Sequence, residues 1–560
     1  MVIAGWVVAC AVTLLHSATQ LQAGADAIAR VRGEVSTQDL ADNRAAGDLH
    51  NAVAHFGRAH ALLDDPWVAP LEIVPYAGRQ LRSTQALANA AYRVAQAGNQ
   101  TLDQAHTLLD APRQTPAERA DLIRQMAAAV GTLSRRTDHI DLGPANALLP
   151  ALATKRAAFA TDLAKLRTGL DRGAGATAAL ADLLGGPRTY LVLAANNAEM
   201  RDGSGMFLDA GTLSTDNGTL SFAEFGPTSE LYNPIPNVPL TGDLQRLWGA
   251  LHPNQEWRSL ALSPQFPANA ALAAQMWQTQ MGQRVDGVLA VDVDGLRAIL
   301  QATGPVSAGG RTVDATDVEQ TLLKDQYVGL TGDATQNDPR REALGALAGA
   351  VLGALQQPGV PFARLATQVA QAAAGRHFLA WAADQRIEAG WSAATVDGAV
   401  SGDGVLLGLN NVGANKLDPY QQIEVRMTTA PAGVNTGVTV AATISNQTPG
   451  DLSPYVAAGS DPNLAPGTYV GVAALDFPTA AGAARVDRPA VSASGRDYTS
   501  DVIAVPVALA PGQSTTITWS FVLAGAHGRL TVKPSARLPS ATWTTDRRTF
   551  RDAVGHTVAW

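Results

Sequence analysis

Residues 287–306 read GVLAVDVDGLRAILQATGPV. The compact apolar run that opens it suits a buried strand, and the stretch after it spaces its leucines and isoleucine as one face of a helix. Asp294 is predicted to cap that helix by accepting hydrogen bonds from its free N–H groups, and Gly304-Pro305 to stop it. A strand feeding straight into a helix is the unit from which parallel and mixed sheets are built, so a central α/β domain is expected here.

Working outward, YLVLAA at 190–195 follows Gly185-Gly186-Pro187 and predicts a second buried strand, with 211–214 and 220–225 as further candidates. Helices are predicted over 269–281, 294–303, 340–355 and 362–373. Before residue 180 the text has helical spacing and few aromatics, broken at Asp64-Asp65-Pro66-Trp67 and by LEIVPYAG at 71–78. That pattern predicts a hairpin of long helices, as a stalk or a packed layer. Beyond 404 the helical period vanishes. Short runs at 422–428, 437–444, 469–475, 502–509, 514–521 and 529–534 alternate with Pro, Gly and Asn turns, which predicts a β-sandwich. Trp519 and Trp543 could stack on sugar rings, but the alternating strand around Trp519 favours core packing. The expected architecture is a multidomain α+β chain. It has an anchor helix at 1–22, a helical hairpin or stalk region at 23–180, a central α/β domain with a mixed sheet at 181–403, and a β-sandwich at 404–560.

The opening MVIAGWVVACAVTLL at 1–15 predicts a single-pass membrane anchor with the bulk of the chain extracytoplasmic. The run falls short of the roughly 20 apolar residues of a span and lacks a basic flank, so a buried core helix and a lipoprotein box ending at Cys10 are the rival readings. At 46% hydrophobic and 16% charged, the 560 residues argue against a long disordered tail. A net charge of −8 with no basic cluster argues against nucleic acid as a partner. Cys10 is the only cysteine, so neither an intrachain disulfide nor a thiolate zinc site can form. His50, His55 and His60 are five residues apart, and each step turns about 140° around a helix, which points them three ways rather than at one metal. The chain contains no nucleophile elbow, HExxH motif or Walker loop. Asp292-Val293-Asp294-Gly295 copies part of a calcium loop, but Ala290 precedes it and no glutamate closes it; a helix cap accounts for it better.

One stretch invites a chemical reading. Asn196-Asn197-Ala198-Glu199-Met200-Arg201-Asp202-Gly203-Ser204-Gly205 lies just past the YLVLAA strand, where ligands bind in α/β sheets. A guanidinium beside carboxylates and glycines could grip a phosphate while a carboxylate holds a divalent cation. A structural turn is the competing reading, with Glu199 and Arg201 in ordinary ion pairs. A second group, Asn337-Asp338-Pro339-Arg340-Arg341-Glu342, opens the helix expected from 340. Asp338 as cap and proline behind it explain the start, whereas two arginines there oppose the helix dipole and point to an anionic partner.

Segments spread over most of residues 60 to 430 resemble the bacterial family known as domain of unknown function 4012. They are DDPWVAPLEIVPYAG, YLVLAANNAEMRDGSGMF, SPQFPANAALAAQMW, VDGVLAVDVDGLRAILQATGPV, QNDPRREAL, GRHFLAWAADQ and NNVGANKLDPY. The resemblance implies an anchored cell-envelope protein. The strand-helix unit, Arg201-Asp202 and Asp338 with Arg340 and Arg341 also distantly resemble the LytR-CpsA-Psr phosphotransferases, which transfer glycans from lipid pyrophosphates. That resemblance implies catalytic roles for Arg201, Asp202 and Asp338, magnesium on Asp202 or Asp338, and ligand contacts from Asn197, Glu199, Gly203, Gly205, Arg340 and Arg341. The partner would be a lipid-linked glycan or peptidoglycan. The departure is SFAEFGPTSEL at 221–231, which has no arginine where that family carries a second arginine-aspartate strand. The alternative is a noncatalytic envelope scaffold or protein-interaction module in which Arg201 is structural.

Overall fold

The computed structural model describes residues 2–34, 43–110, 115–231, 238–330, 337–357 and 359–560. The chain forms two compact units, Met1–Asp182 and Leu183–Trp560.

The first unit is helical: α1 (Val2–Glu34), α2 (Asn43–Leu63), α3 (Pro75–Asp110), α4 (Pro116–Asp138) and α5 (Pro150–Gly185). The expected hairpin is the α2–α3 pair, turning through a short 3₁₀ segment at Ala69–Ile73, and α1 packs along α2. Alanine-rich faces let the helices approach closely: Ala27, Ala52 and Ala95 are buried around Phe56. No described helix is long and apolar enough to cross a membrane. Leu14 and Leu21 of α1 pack against Leu63, Val68 and Leu81. Trp6 Nε1 donates to the Trp67 carbonyl at 2.9 Å, and Cys10 is buried. Val8, Val12 and Leu15, on the same helix, are exposed. The three histidines go separate ways: His55 meets Gln20, His60 meets Asp64, and His50 is exposed.

The second unit begins with β1 (Arg188–Asn196), β2 (Met206–Asp216) and β3 (Thr219–Pro227), then α6 (Gly242–Trp248), α7 (Phe266–Met281), β4 (Gly287–Val291) and α8 (Val293–Thr303). A small hairpin, β5 (Val306–Ala308) and β6 (Arg311–Val313), leads to α9 (Val318–Leu323), α10 (Asn337–Gln356), α11 (Phe362–Ala374), β7 (Phe378–Ala382) and α12 (Gln385–Ala393). The sheet order is β3-β2-β1-β4-β7, with β1 and β4 parallel and the other pairs antiparallel. This is the mixed sheet expected. Two details differ from the expectation. The cap of α8 is Asp292 rather than Asp294, its side chain accepting from the N–H groups of Asp294 and Gly295. The strand β7, FLAWA, is one that periodicity does not single out.

The sheet is covered on both faces. Leu191, Leu193, Val288 and Ala290 look toward Trp257, Phe266 and Trp277, while Val192, Ala194, Leu289 and Val291 look toward α8 and α10. Continuous apolar strands are the consequence of that double cover.

The remaining strands are β8 (Gly404–Asn411), β9 (Gln421–Ala432), β10 (Asn435–Asn446), then, after the short α13 (Pro454–Ala457), β11 (Tyr469–Pro478), β12 (Gly482–Val486), β13 (Ala493–Asp497), β14 (Ser500–Leu509), β15 (Ser514–Leu523), β16 (Arg529–Val532), β17 (Thr542–Thr545), β18 (Thr549–Arg551) and β19 (His556–Ala559). They make two six-stranded sheets, β12-β15-β10-β9-β17-β18 and β13-β14-β11-β8-β16-β19. In the first, β10 alternates buried with half-buried residues, as one inward face requires. In the second, β11 is buried almost throughout. Its Leu475 belongs to the sandwich core, whereas Val472 and Ala474 join the cluster of Trp257 and Phe266 from the α/β part. The sandwich and the central sheet therefore share a core within one unit. Trp519 and Trp543 are both in the sandwich interior.

Candidate functional site

The loop that leaves β1 is where charged residues collect. It turns back at once into β2, and Gly205 permits the turn with a φ of +109° that a side chain would strain. Asn197 is fully buried, donating to Asp292 Oδ2 at 2.8 Å and to the Ala536 carbonyl at 2.9 Å. Glu199 accepts from Lys416 Nζ at 2.6 Å, and the lysine sits over the Tyr455 ring. Arg201, 6% exposed, donates to the carbonyl oxygens of Met200 and Asn411. Asp202, 2% exposed, accepts from Asn410 Nδ2 at 2.8 Å, while its backbone N–H donates to Asn410 Oδ1. Gly203 donates its N–H to the Ala261 carbonyl.

These partners come largely from the sandwich. Asp418, fully buried, completes the junction: its carboxylate accepts from Arg537 at 2.9 Å, Tyr469 at 3.0 Å, the Met200 N–H at 2.9 Å and Asn411 at 2.9 Å. Four donors satisfy both oxygens, so the burial of this side chain leaves no acceptor unpaired. Sequence reasoning missed Asp418, Arg537 and also Arg376, whose buried guanidinium donates to the carbonyl oxygens of Asp202, Pro264 and Gly398. The available signal was the polar NNVGANKLDPY, which sits next to a strand yet supplies the groups that the β1 loop needs.

Of the nine residues expected to form a ligand site, Asn197, Glu199, Arg201, Asp202, Gly203 and Gly205 lie in this junction. The side chains of Asp338, Arg340 and Arg341, at the start of α10, lie outside the described ones. Burial pushes Asp202 up to about 8, although Arg537, Arg376, Asn410 and Arg201 all favour its ionised form. The Asp202 carboxyl is thus bonded to Asn410 and lies among the guanidinium groups of Arg201, Arg376 and Arg537. Among the described residues no group of three or more His, Cys, Asp or Glu is arranged to hold a metal ion.

A different feature occupies the opposite side of the β1 strand end. A cavity of about 260 Å³ lies between the sheet and the helices α8 and α10. Val192, Ala194, Leu289 and Val291 form its floor. Its roof is α10, which turns Leu344, Leu347, Ala348, Val351, Leu352 and Leu355 inward at the three- and four-residue spacing of a single helix face. The polar side chains on its wall are Asn196, Asp209, Asp292 and Gln326. Asp292 is already occupied, by the α8 cap, by Asn197 and by His377 Nδ1 at 2.7 Å. Burial opposes charge on His377, but Asp292 and Asp294 more than offset it and raise its pKa above the usual imidazole range.

The fold and these two features define a two-unit protein in which a helical part precedes a fused α/β and β-sandwich body with an apolar cavity. Residues 185–327 match the family model described as a protein of unknown function (DUF4012). No curated protein and no solved structure matches the chain.

Proposed function

We propose that this is an extracytoplasmic envelope protein whose α/β part binds the hydrocarbon chain of a lipid-linked cell-wall glycopolymer or its precursor. The observation that carries this reading is the cavity under α10, walled almost wholly by aliphatic and aromatic side chains. By proportion to an engineered cavity of about 150 Å³ that admits benzene, it has room for roughly ten carbons, a segment of an acyl or isoprenoid chain. Arg340 and Arg341, at the start of the helix that roofs the cavity, are assigned to the anionic headgroup. The exposed Val8, Val12 and Leu15, which lie at four- and three-residue spacing along one face of α1, are assigned to membrane attachment.

A second reading, a noncatalytic binding or scaffold module, is favoured over group transfer by the burial of Arg201 and Asp202. Transfer would require both to meet pyrophosphate and metal, and both are engaged with protein groups. The test is binding of a polyprenyl pyrophosphate, and of the polyprenol without its headgroup, to the full chain. Binding of both by the wild type, weakened at least tenfold by Ala348→Trp, which fills the cavity, is expected. Absence of binding, or equal binding by the filled variant, overturns the cavity reading. Tighter binding of the pyrophosphate than of the alcohol, lost in an Arg340→Ala, Arg341→Ala double variant, would support the headgroup assignment.

A further inference from the structure

A second hollow, of about 420 Å³, lies on the outer side of α7, away from the apolar cavity. Leu244 of α6 and Ala268, Ala271 and Leu272 of α7 supply apolar surface, and Thr241, Gln275 and Tyr498 supply polar tips. Its lining contains no Asp, Glu, Lys, Arg or His. Among the described residues the side chains of Thr241, Gln275 and Tyr498 have no hydrogen-bond partner.

Tyr498 is the unusual member. It is the first of the two residues joining β13 to β14, where it has a φ of +53°. Glycine is the ordinary occupant of that position in a two-residue hairpin turn, because a Cβ crowds the backbone there. The turn is also held firmly. The Tyr498 N–H donates to Asp243 at 2.8 Å, and Asp243 pairs with Arg246. Thr499 Oγ1 donates to Gln265 and to the Val400 carbonyl. A 42% exposed aromatic ring is thus held on a braced turn whose backbone favours a different residue. An aromatic face, an apolar floor and neutral donors and acceptors are the groups that recognise a sugar ring, whose C–H face stacks while its hydroxyls hydrogen-bond. The lack of charge disfavours phosphates and carboxylates.

We infer that this hollow is a binding site for a neutral oligosaccharide, with Tyr498 as the stacking platform and Gln275 and Thr241 as hydrogen-bonding groups. The inference is independent of the cavity under α10. The test is saturation-transfer NMR and titration of the full chain with tetrasaccharides of glucose, galactose and N-acetylglucosamine. At least one is expected to bind, with affinity reduced about tenfold in Tyr498→Gly and in Gln275→Ala. Tyr498→Gly is expected to melt no lower than the wild type, since glycine suits the turn; a ring needed only for packing would give the opposite result. No binding of any tetrasaccharide, undiminished binding by Tyr498→Gly, a lowered melting temperature in that variant, or displacement of the sugar by a proline-rich peptide of higher affinity would each overturn the inference. Polyprenyl lipid binding measured on the same variants is expected to stay at the wild-type level, so failure here and failure of the cavity reading are distinguishable.

Discussion

Asp202 and Arg201 are neighbours in the chain whose roles are set by what closes over them. A carboxyl pushed up to about 8 in the folded protein, against 3.8 as its ordinary value, binds a proton that the unfolded chain has released between those two pH values. Its contribution to stability is therefore present at low pH and falls as pH rises from about 4 to about 8. Asp497, pushed up to about 7, and Asp552, to about 6, both chiefly by burial, act in the same direction. Asp202→Asn removes one such titration. Its stability relative to the wild type should rise by about 1.4 kcal/mol per pH unit across that window, measured by urea unfolding at several pH values. A flat difference would show that Asp202 does not titrate there. Arg537 presents the opposite case, a buried cation against a buried carboxylate. Arg537→Ala leaves Asp418 without its charge partner and should lower stability by about 3–5 kcal/mol in the same assay. Gly408 belongs with them, because a Cβ there would overlap the Asp202 carboxyl. The polar character of these residues was visible in the sequence. The burial of Asp202 and Arg537 was not, because their partners lie far off in the chain, Asn410 208 positions from Asp202 and Asp418 119 positions from Arg537.

Helices and strands with strong periodicity were legible, and the exceptions have physical causes. YLVLAA, GVLAV and six of the twelve sandwich strands were found because their apolar runs are bounded by turn residues. The short strands β12, β13, β17, β18 and β19, of three to five residues, carry too little periodicity to be assigned, and FLAWA and GVLLGLNN were not assigned either. FLAWA and GVLLGLNN are short stretches covered on both faces, so no alternation marks them. The α8 start shows how a cap can be misplaced by two residues: Asp292 and Asp294 are both competent, and Asp292 prevails because it ends β4 in extended backbone with its carboxylate aimed at two free N–H groups. Asp292→Ala should therefore cost about 1–2 kcal/mol from the cap alone, and more with the loss of His377 and Asn197 as partners. Asp294→Ala should cost less. A thermal-melt comparison of the two variants in which Asp294→Ala is the more damaging would refute this assignment.

The chain forms two compact units, and the sheets of the second are joined by shared apolar clusters as well as by the polar junction. A fragment covering 183–560 should fold by itself, because the central sheet, both sandwich sheets and their two large core clusters lie within it. Near-UV circular dichroism with sharp tryptophan bands and a cooperative melt is the expected result; a broad, noncooperative melt would show that the helical unit is required. Sequence alone established the succession of helical, α/β and β-rich segments, since local periodicity and turn chemistry are properties of neighbouring residues. It also located the polar loop after the first strand. Only tertiary structure decided that this loop would be enclosed between sheet and sandwich, and that hollows would form under α10 and beside Tyr498. Burial is a property of contacts between distant segments, and the same arginine–aspartate pair reads alike on a surface and in an interior until those contacts are known.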